Sequence, residues 1–168
     1  MANTYTLIEA KTLSTTTASV TFSSIPSGYT DILVKVSSRS ADSGTDIAIR
    51  FNGDTGNNYT FIRLYANGST VSTSASTTTR LINNMMVQAS YTANVFGNGE
   101  IYIPNYTSSN YKSVSIDGVT ENNDTTSFQA FTAGLWSSTS AINSITLISD
   151  GGNIASGSTF YLYGISNS

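Results

Sequence analysis

The sequence predicts an all-β protein: one β-sandwich domain over residues 1–168, of jelly-roll type, with about ten short antiparallel strands. Three observations predict it. Apolar residues come in runs of strand length and alternate with polar ones, with no sustained helical period. Polar turn residues interrupt these runs about every ten positions. The apolar content favours β-branched and aromatic residues over helix formers.

The elements follow in order. Tyr5–Ala10 reads as a short first strand, and Thr12–Ala18 as a polar connection. Ser19–Phe22 is a strand fragment stopped by Ile25-Pro26-Ser27-Gly28, a type I turn pattern. Asp31–Arg39 alternates, with Ile32, Val34 and Val36 on one face. Asp46–Asn52 repeats the pattern with Ile47, Ile49 and Phe51, and the turn Ala41–Thr45 suggests that these two strands pair antiparallel.

Residues 52–58, NGDTGNN, form a loop, and Phe61–Ala66 is a strand ended by the turn dipeptide Asn67-Gly68. Ser69–Thr79 has the low complexity of a flexible surface loop. In Leu81–Ala89, Leu81, Met85 and Ala89 fall at helical spacing, but Asn83-Asn84 and the β-rich surroundings favour a strand or an irregular piece. Further strands are Glu100–Ile103, ended by Pro104, then Ser113–Thr120 with Val114 and Ile116 inward, and Ser127–Trp136. The last of these is apolar on both faces and reads as well covered.

Ile142–Ile165 organises the chain. Two apolar runs, Ile142–Ile148 and Phe160–Ile165, flank a Gly- and Ser-rich connection. In the second run Phe160, Leu162 and Gly164 point one way, and Tyr161, Tyr163 and Ile165 the other. Both sets are apolar, which predicts an interior strand with cover on each side. There is no internal repeat and no Pro-rich linker.

Composition removes several chemistries. With no Cys there is no disulfide, zinc-thiolate site, iron–sulfur cluster or thiol nucleophile. With no His the commonest general base and metal ligand is missing. Charged residues are only 10% of the chain and the net charge is −3. The basic residues are scattered, so no stripe fits a nucleic-acid backbone. No apolar run approaches the roughly 20 residues of a membrane-spanning helix. The N-terminus MANTYTLIEAKTL has neither the basic nor the apolar region of a signal peptide. The sequons at Asn58, Asn67, Asn105 and Asn123 are those expected by chance in a chain rich in Asn, Ser and Thr.

No carboxylate pair is nominated by local spacing for glycoside chemistry. Glu121 with Asp124 comes closest, and ENND reads better as a solvated turn. Asn52, Asp54 and Gly56 imitate the start of a calcium loop, but the central Gly is misplaced and no Glu closes it. A turn is the better reading. No metal, cofactor or catalytic residue is expected. Tyr is the more informative residue type. Tyr59, Tyr65, Tyr106 and Tyr111 sit in or beside polar loops, where exposed Tyr suits an interface or stacks on sugars. The competing reading is that each caps an edge of the core. Trp136 follows a strand and reads as core.

Three segments, TFSSIPSGYTDILVKVSSRS, EIYIPNYTSSNYKSVSIDGVTENN and AGLWSSTSAINSITLISDGGNIASGSTFYLYGI, together with FNGDTGNNY, span nearly the whole chain. In order and spacing they resemble a family of small β-rich virion structural proteins of tailed phages of aquatic bacteria, cyanobacterial ones included. The resemblance implies a jelly-roll capsid decoration (cement) protein, or a head or tail fibre module, and no enzyme. It also implies assembly in the host cytoplasm, location on the capsid surface, the major capsid protein as partner, and a homotrimer by analogy with decoration proteins at three-fold positions. No nucleic acid or membrane partner is expected. The alternative is a fibre- or tail-associated module that binds a host surface glycan or receptor. The readings separate structurally. Aromatics over a flat face suit the first, an aromatic platform in a concave groove the second, and facing carboxylates in a deep cleft a hydrolase or lyase.

Overall fold

The computed structural model describes residues 4–122 and 127–166; within them there are thirteen strands and no helix. The strands are β1 (Tyr5–Thr12), β2 (Ser19–Phe22), β3 (Asp31–Arg39), β4 (Asp46–Phe51), β5 (Tyr59–Ala66), β6 (Val71–Thr78), β7 (Leu81–Asn84), β8 (Met86–Val87), β9 (Gly97–Ile103), β10 (Lys112–Glu121), β11 (Ser127–Trp136), β12 (Ile145–Asp150) and β13 (Thr159–Ile165). The fold class is all-β, as the alternation predicts, with thirteen strands in place of about ten.

Two sheets of unequal width face each other. The large sheet runs β1-β13-β3-β9-β10-β11-β5-β6, and the small one β2-β12-β4-β7. Neighbours are antiparallel, apart from β8, which adds a short parallel pairing to the end of β3. The chain crosses between sheets from β1 to β2, from β3 to β4 and from β12 to β13. It therefore lays β1-β13-β3 over β2-β12-β4 in the same order, the wrap of a jelly roll. β3 and β4 thus do not pair with each other. Their connection carries the chain across the core, and each finds its neighbours in a different sheet.

The core fills the space between the sheets. Ile32, Val34, Ile101, Ile103, Ile116 and Phe160 from the large sheet meet Phe22, Ile47, Ile49, Phe51, Ile145 and Leu147 from the small one. β13 lies between β1 and β3, and its inward residues Phe160 and Leu162 are buried. Its outward residues Tyr161 and Tyr163 are half-buried, and the expected second cover is absent. β11 differs from expectation in the same way: Trp136 is buried, but Phe131 on its other face is 46% exposed. Both strands carry apolar residues on a face that no second layer covers among the described residues.

The Ser/Thr tract 69–79 is not a loop. Val71–Thr78 forms β6, a full-length hairpin partner of β5 joined through Asn67-Gly68. Asn67 Oδ1 accepts the Thr70 backbone N–H at 2.9 Å, and Gly68 takes the φ of +86° that the turn requires. Alternating Ser and Thr suit an edge strand with little to bury. The ambiguous segment 81–89 resolves into two short strands broken at Met85. Here the small sheet sits on glycines of the large one. A Cβ at Gly118 would lie 2.1 Å from the Asn84 carbonyl oxygen, and one at Gly99 2.3 Å from Met85 Sδ. Gly99 and Gly118 are directly paired across β9 and β10. Together they make the trough that receives Asn84 and Met85.

Candidate functional site

The predicted interface tyrosines do not form one surface. Tyr59 and Tyr106 are fully buried, so the expectation that they reach a partner is corrected. The Tyr59 ring stacks on Trp136 at 6.4 Å and lies 6.1 Å from Phe51. Its hydroxyl accepts the Phe51 N–H at 3.0 Å. Burial pushes its pKa up to about 12. Tyr106 donates its hydroxyl to the Pro26 carbonyl, and burial raises its pKa. A phenol whose oxygen finds a backbone partner can lie in the core beside a polar loop. Tyr111 is 58% exposed. Tyr65 is half-buried on the inner face of β5, with the Arg63 guanidinium 5.4 Å from its ring centroid.

The calcium-like loop is a turn held by its one carboxylate. Asp54 Oδ1 accepts the Gly56 N–H at 2.8 Å, and Oδ2 accepts the Trp136 indole N–H at 2.7 Å and the Asn58 amide at 2.9 Å. Among the described residues no group of three or more acidic side chains converges. Glu121 ends β10; its proposed partner Asp124 lies outside the described residues, as does the sequon at Asn123. Asn58 and Asn67 use their side-chain amides within turns.

The broadest unusual surface is the outer face of the large sheet. One row of directly opposed residues crosses it: Leu7, Tyr163, Leu33, Tyr102, Ser115, Ala133, Ile62 and Ala75. Opposed residues in a ladder share a face. Alternation places Tyr5, Phe131, Leu64 and Val71 on the same side. Of the eight large hydrophobics left exposed among the described residues, seven lie here, and Tyr111 alone lies elsewhere. Ile62 is 64% and Val71 68% exposed.

The face has two apolar fields. One joins Ile62, Leu64, Val71 and Phe131 near the β6 edge. The other joins Tyr5, Leu7 and Tyr163 near the β1 edge. Between them runs a polar row in which Lys35 pairs with Glu100 and Glu100 lies opposite Asp117. The Glu100 hydrogen bond is the main cause holding the Lys35 ammonium above its usual pKa. Two residues along β9 from Glu100, Tyr102 donates to Asp31 Oδ2 at 2.8 Å, which raises the tyrosine's pKa. Sequence reasoning missed this surface. Its signal is the second apolar face of Ser127–Trp136, which reads as covered, together with Ile62 and Leu64 of Phe61–Ala66.

No family model matches the chain, and no curated protein matches it. Among solved structures, it is similar to the crystal structure of exo-inulinase from Aspergillus awamori, with a TM-score of 0.52 and 16% identity. The match covers 96% of this chain and 29% of that one, so this chain spans less than a third of the enzyme's length. At this identity the likeness concerns the β-rich fold alone.

Proposed function

We propose that this chain is a non-enzymatic virion structural protein, a capsid decoration (cement) protein of a tailed phage. It docks on the major capsid protein through the outer face of its large sheet. The observation that carries the reading is the gathering of seven exposed large hydrophobics on one face of the large sheet. Exposed apolar fields rimmed by polar residues, such as the two on this face, mark an interaction site. A face eight strands wide suits apposition to another broad protein surface better than enclosure of a small molecule. The resemblance to β-rich virion proteins supplies the partner and the location on the capsid surface.

Self-association fits the open edge of β6, which has no charge and no proline from Val71 to Thr79. Such an edge accepts a further strand readily. The homotrimer implied by the resemblance would multiply weak contacts through effective concentration. In a reducing host cytoplasm a cement protein without Cys loses nothing by lacking disulfides.

The test is to strip the protein from particles and measure two quantities on one preparation, the temperature at which heads burst and adsorption to host cells. The proposal expects a lower burst temperature with adsorption retained. Unchanged burst temperature with abolished adsorption would replace it with the receptor-binding reading.

A further inference from the structure

Among the described residues the two sheets end in four edge strands, β1 and β6 in the large sheet and β2 and β7 in the small one. An edge strand presents a row of unpaired N–H and C=O groups. Proteins that stay single blunt such edges with short strands, bulges, charges or Pro. Three of these edges are blunted. β2 and β7 have four residues each. β1 has eight, but its register shifts between Leu7 and Glu9, and Lys11 pairs with Glu9 at 2.7 Å along it. β6 has none of these devices. Its eight residues, VSTSASTT, carry neither charge nor Pro. They keep an unbroken register against β5, from Ala66↔Val71 to Tyr59↔Thr78. Among the described residues β6 pairs with β5 alone.

The free groups of β6 follow from its hairpin. The Asn67 N–H donates to the Thr70 carbonyl at 3.2 Å, so 67 and 70 form a hydrogen-bonded pair. Such pairs alternate along an antiparallel ladder. The next ones are therefore Tyr65↔Ser72, Arg63↔Ser74, Phe61↔Ser76 and Tyr59↔Thr78. Val71, Thr73, Ala75 and Thr77 turn their N–H and C=O away from β5, and their side chains lie on the outer face. A second β6, antiparallel about a two-fold axis at Ser74, sets Val71 opposite Thr77 and Thr73 opposite Ala75. That register engages every one of these free groups. Ser72 then falls opposite Ser76, and Ser74 opposite its own copy. A hydroxyl both donates and accepts, so it tolerates its like across an axis where a charge would repel itself. The same axis puts both outer faces on one side. Ile62 and Val71, 64% and 68% exposed, then join their copies in one apolar field. We propose that two copies of this chain associate through β6 in this register and form one continuous sheet. A ring of three would need two different edges to meet head to tail, and the β1 edge is guarded. A trimer would form through another surface. The proposal rests on the self-association read from this edge and not on the capsid partner, so the two can fail separately.

The experiment uses the full chain without particles, in a dilution series from micromolar to millimolar. Light scattering should show the mass rise from monomer to dimer. Hydrogen exchange on the same wild-type samples should slow at the amides of Val71, Thr73, Ala75 and Thr77 only at the concentrated end. The amides of Ser72, Ser74 and Ser76, bonded to β5, should stay protected throughout. Thr73→Pro removes a free N–H and leaves the β5 ladder bonded, as an edge strand allows. The loss occurs twice about the axis, so dimerisation should weaken by at least about tenfold. Phe131→Ser, on the outer face two strands from the edge, should dimerise as wild type does. A monomer at every concentration, or a trimer, would overturn the proposal. So would exchange at those four amides that ignores concentration, a reading that needs no variant to fold. Dimerisation kept in Thr73→Pro or lost in Phe131→Ser would move the contact off this edge and overturn it as well.

Discussion

The Asp54 carboxylate accepts the indole N–H of Trp136 at 2.7 Å, across 82 positions of sequence. This bond ties the 52–58 loop to the end of β11. Trp136 in turn packs 5.5 Å from Phe51, the residue at which the loop begins. The loop is therefore anchored at both its carboxylate and its root. Replacing Asp54 with Ala leaves a buried indole donor without its partner, a loss of about 1–3 kcal/mol. Chemical denaturation followed by the fluorescence of this single Trp reads the effect directly.

Acid should act through the same group. Burial pushes the Asp54 carboxyl up, but hydrogen bonds from Trp136, Asn58 and the Gly56 N–H outweigh it and hold the pKa below its usual value. A depressed carboxylate stabilises the fold fully above its unfolded value of about 3.9, and that contribution is lost as pH falls through the folded pKa. The stability difference between wild type and Asp54→Asn should be constant from neutral pH down to about 5 and should narrow below about 4. A difference that does not change with pH would contradict this role.

Gly118 should tolerate no side chain. Its Cβ would meet the Asn84 backbone oxygen at 2.1 Å, and backbone cannot swing aside as a side chain can. Gly118→Ala should therefore destabilise by about 1–3 kcal/mol or more, as overpacked positions do. Gly28→Ala is the control, because nothing lies within 4 Å of its Cβ position. Equal melting temperatures for the two variants would mean that β7 is not seated on β10.

Arg39 clamps the segment after β8. Its guanidinium donates to four backbone carbonyls, those of Ala89, Tyr91, Thr92 and Val95, at 2.8–3.0 Å. A planar fork with five donors can do this, and an ammonium with three cannot. Arg39→Lys should keep the charge and the fold yet speed proteolytic cleavage between residues 89 and 95. An unchanged cleavage rate would show that the segment holds itself.

Leu162 is 1% exposed on β13, and Leu162→Ala should cost about 2–5 kcal/mol. Surface-like tolerance would remove β13 from the centre of the fold.

Much of this architecture was legible in the chain. Alternation in Asp31–Arg39 identified a strand and its inward residues Ile32, Val34 and Val36, all buried. The same holds for Ile47, Ile49 and Phe51. Pairing was not legible, because the short turn 41–45 suits a hairpin and a crossing between sheets equally well. β6 was missed because Ser and Thr carry no apolar alternation, and its strand state comes from the β5 ladder. Tyr59 and Tyr106 were misplaced because their polar neighbours say nothing of whether a hydroxyl finds a backbone oxygen inside. The outer face was hidden for a geometric reason. Ile62 and Phe131 look like core residues until eight strands in a row are seen to be covered on one side only.

The central claim, docking through that outer face, is tested most directly by rebinding. Stripped particles are incubated with wild type or with Ile62→Ser/Phe131→Ser, and bound protein is measured against concentration at low and high salt. Both residues point outward, so the double variant should keep the wild-type melting temperature. Its attachment should weaken by at least about tenfold, the equivalent of roughly 1.4 kcal/mol. Wild-type attachment should change little with salt, since the contact is mainly apolar. Wild-type affinity in the double variant, or strong salt dependence of wild-type attachment, would contradict the account.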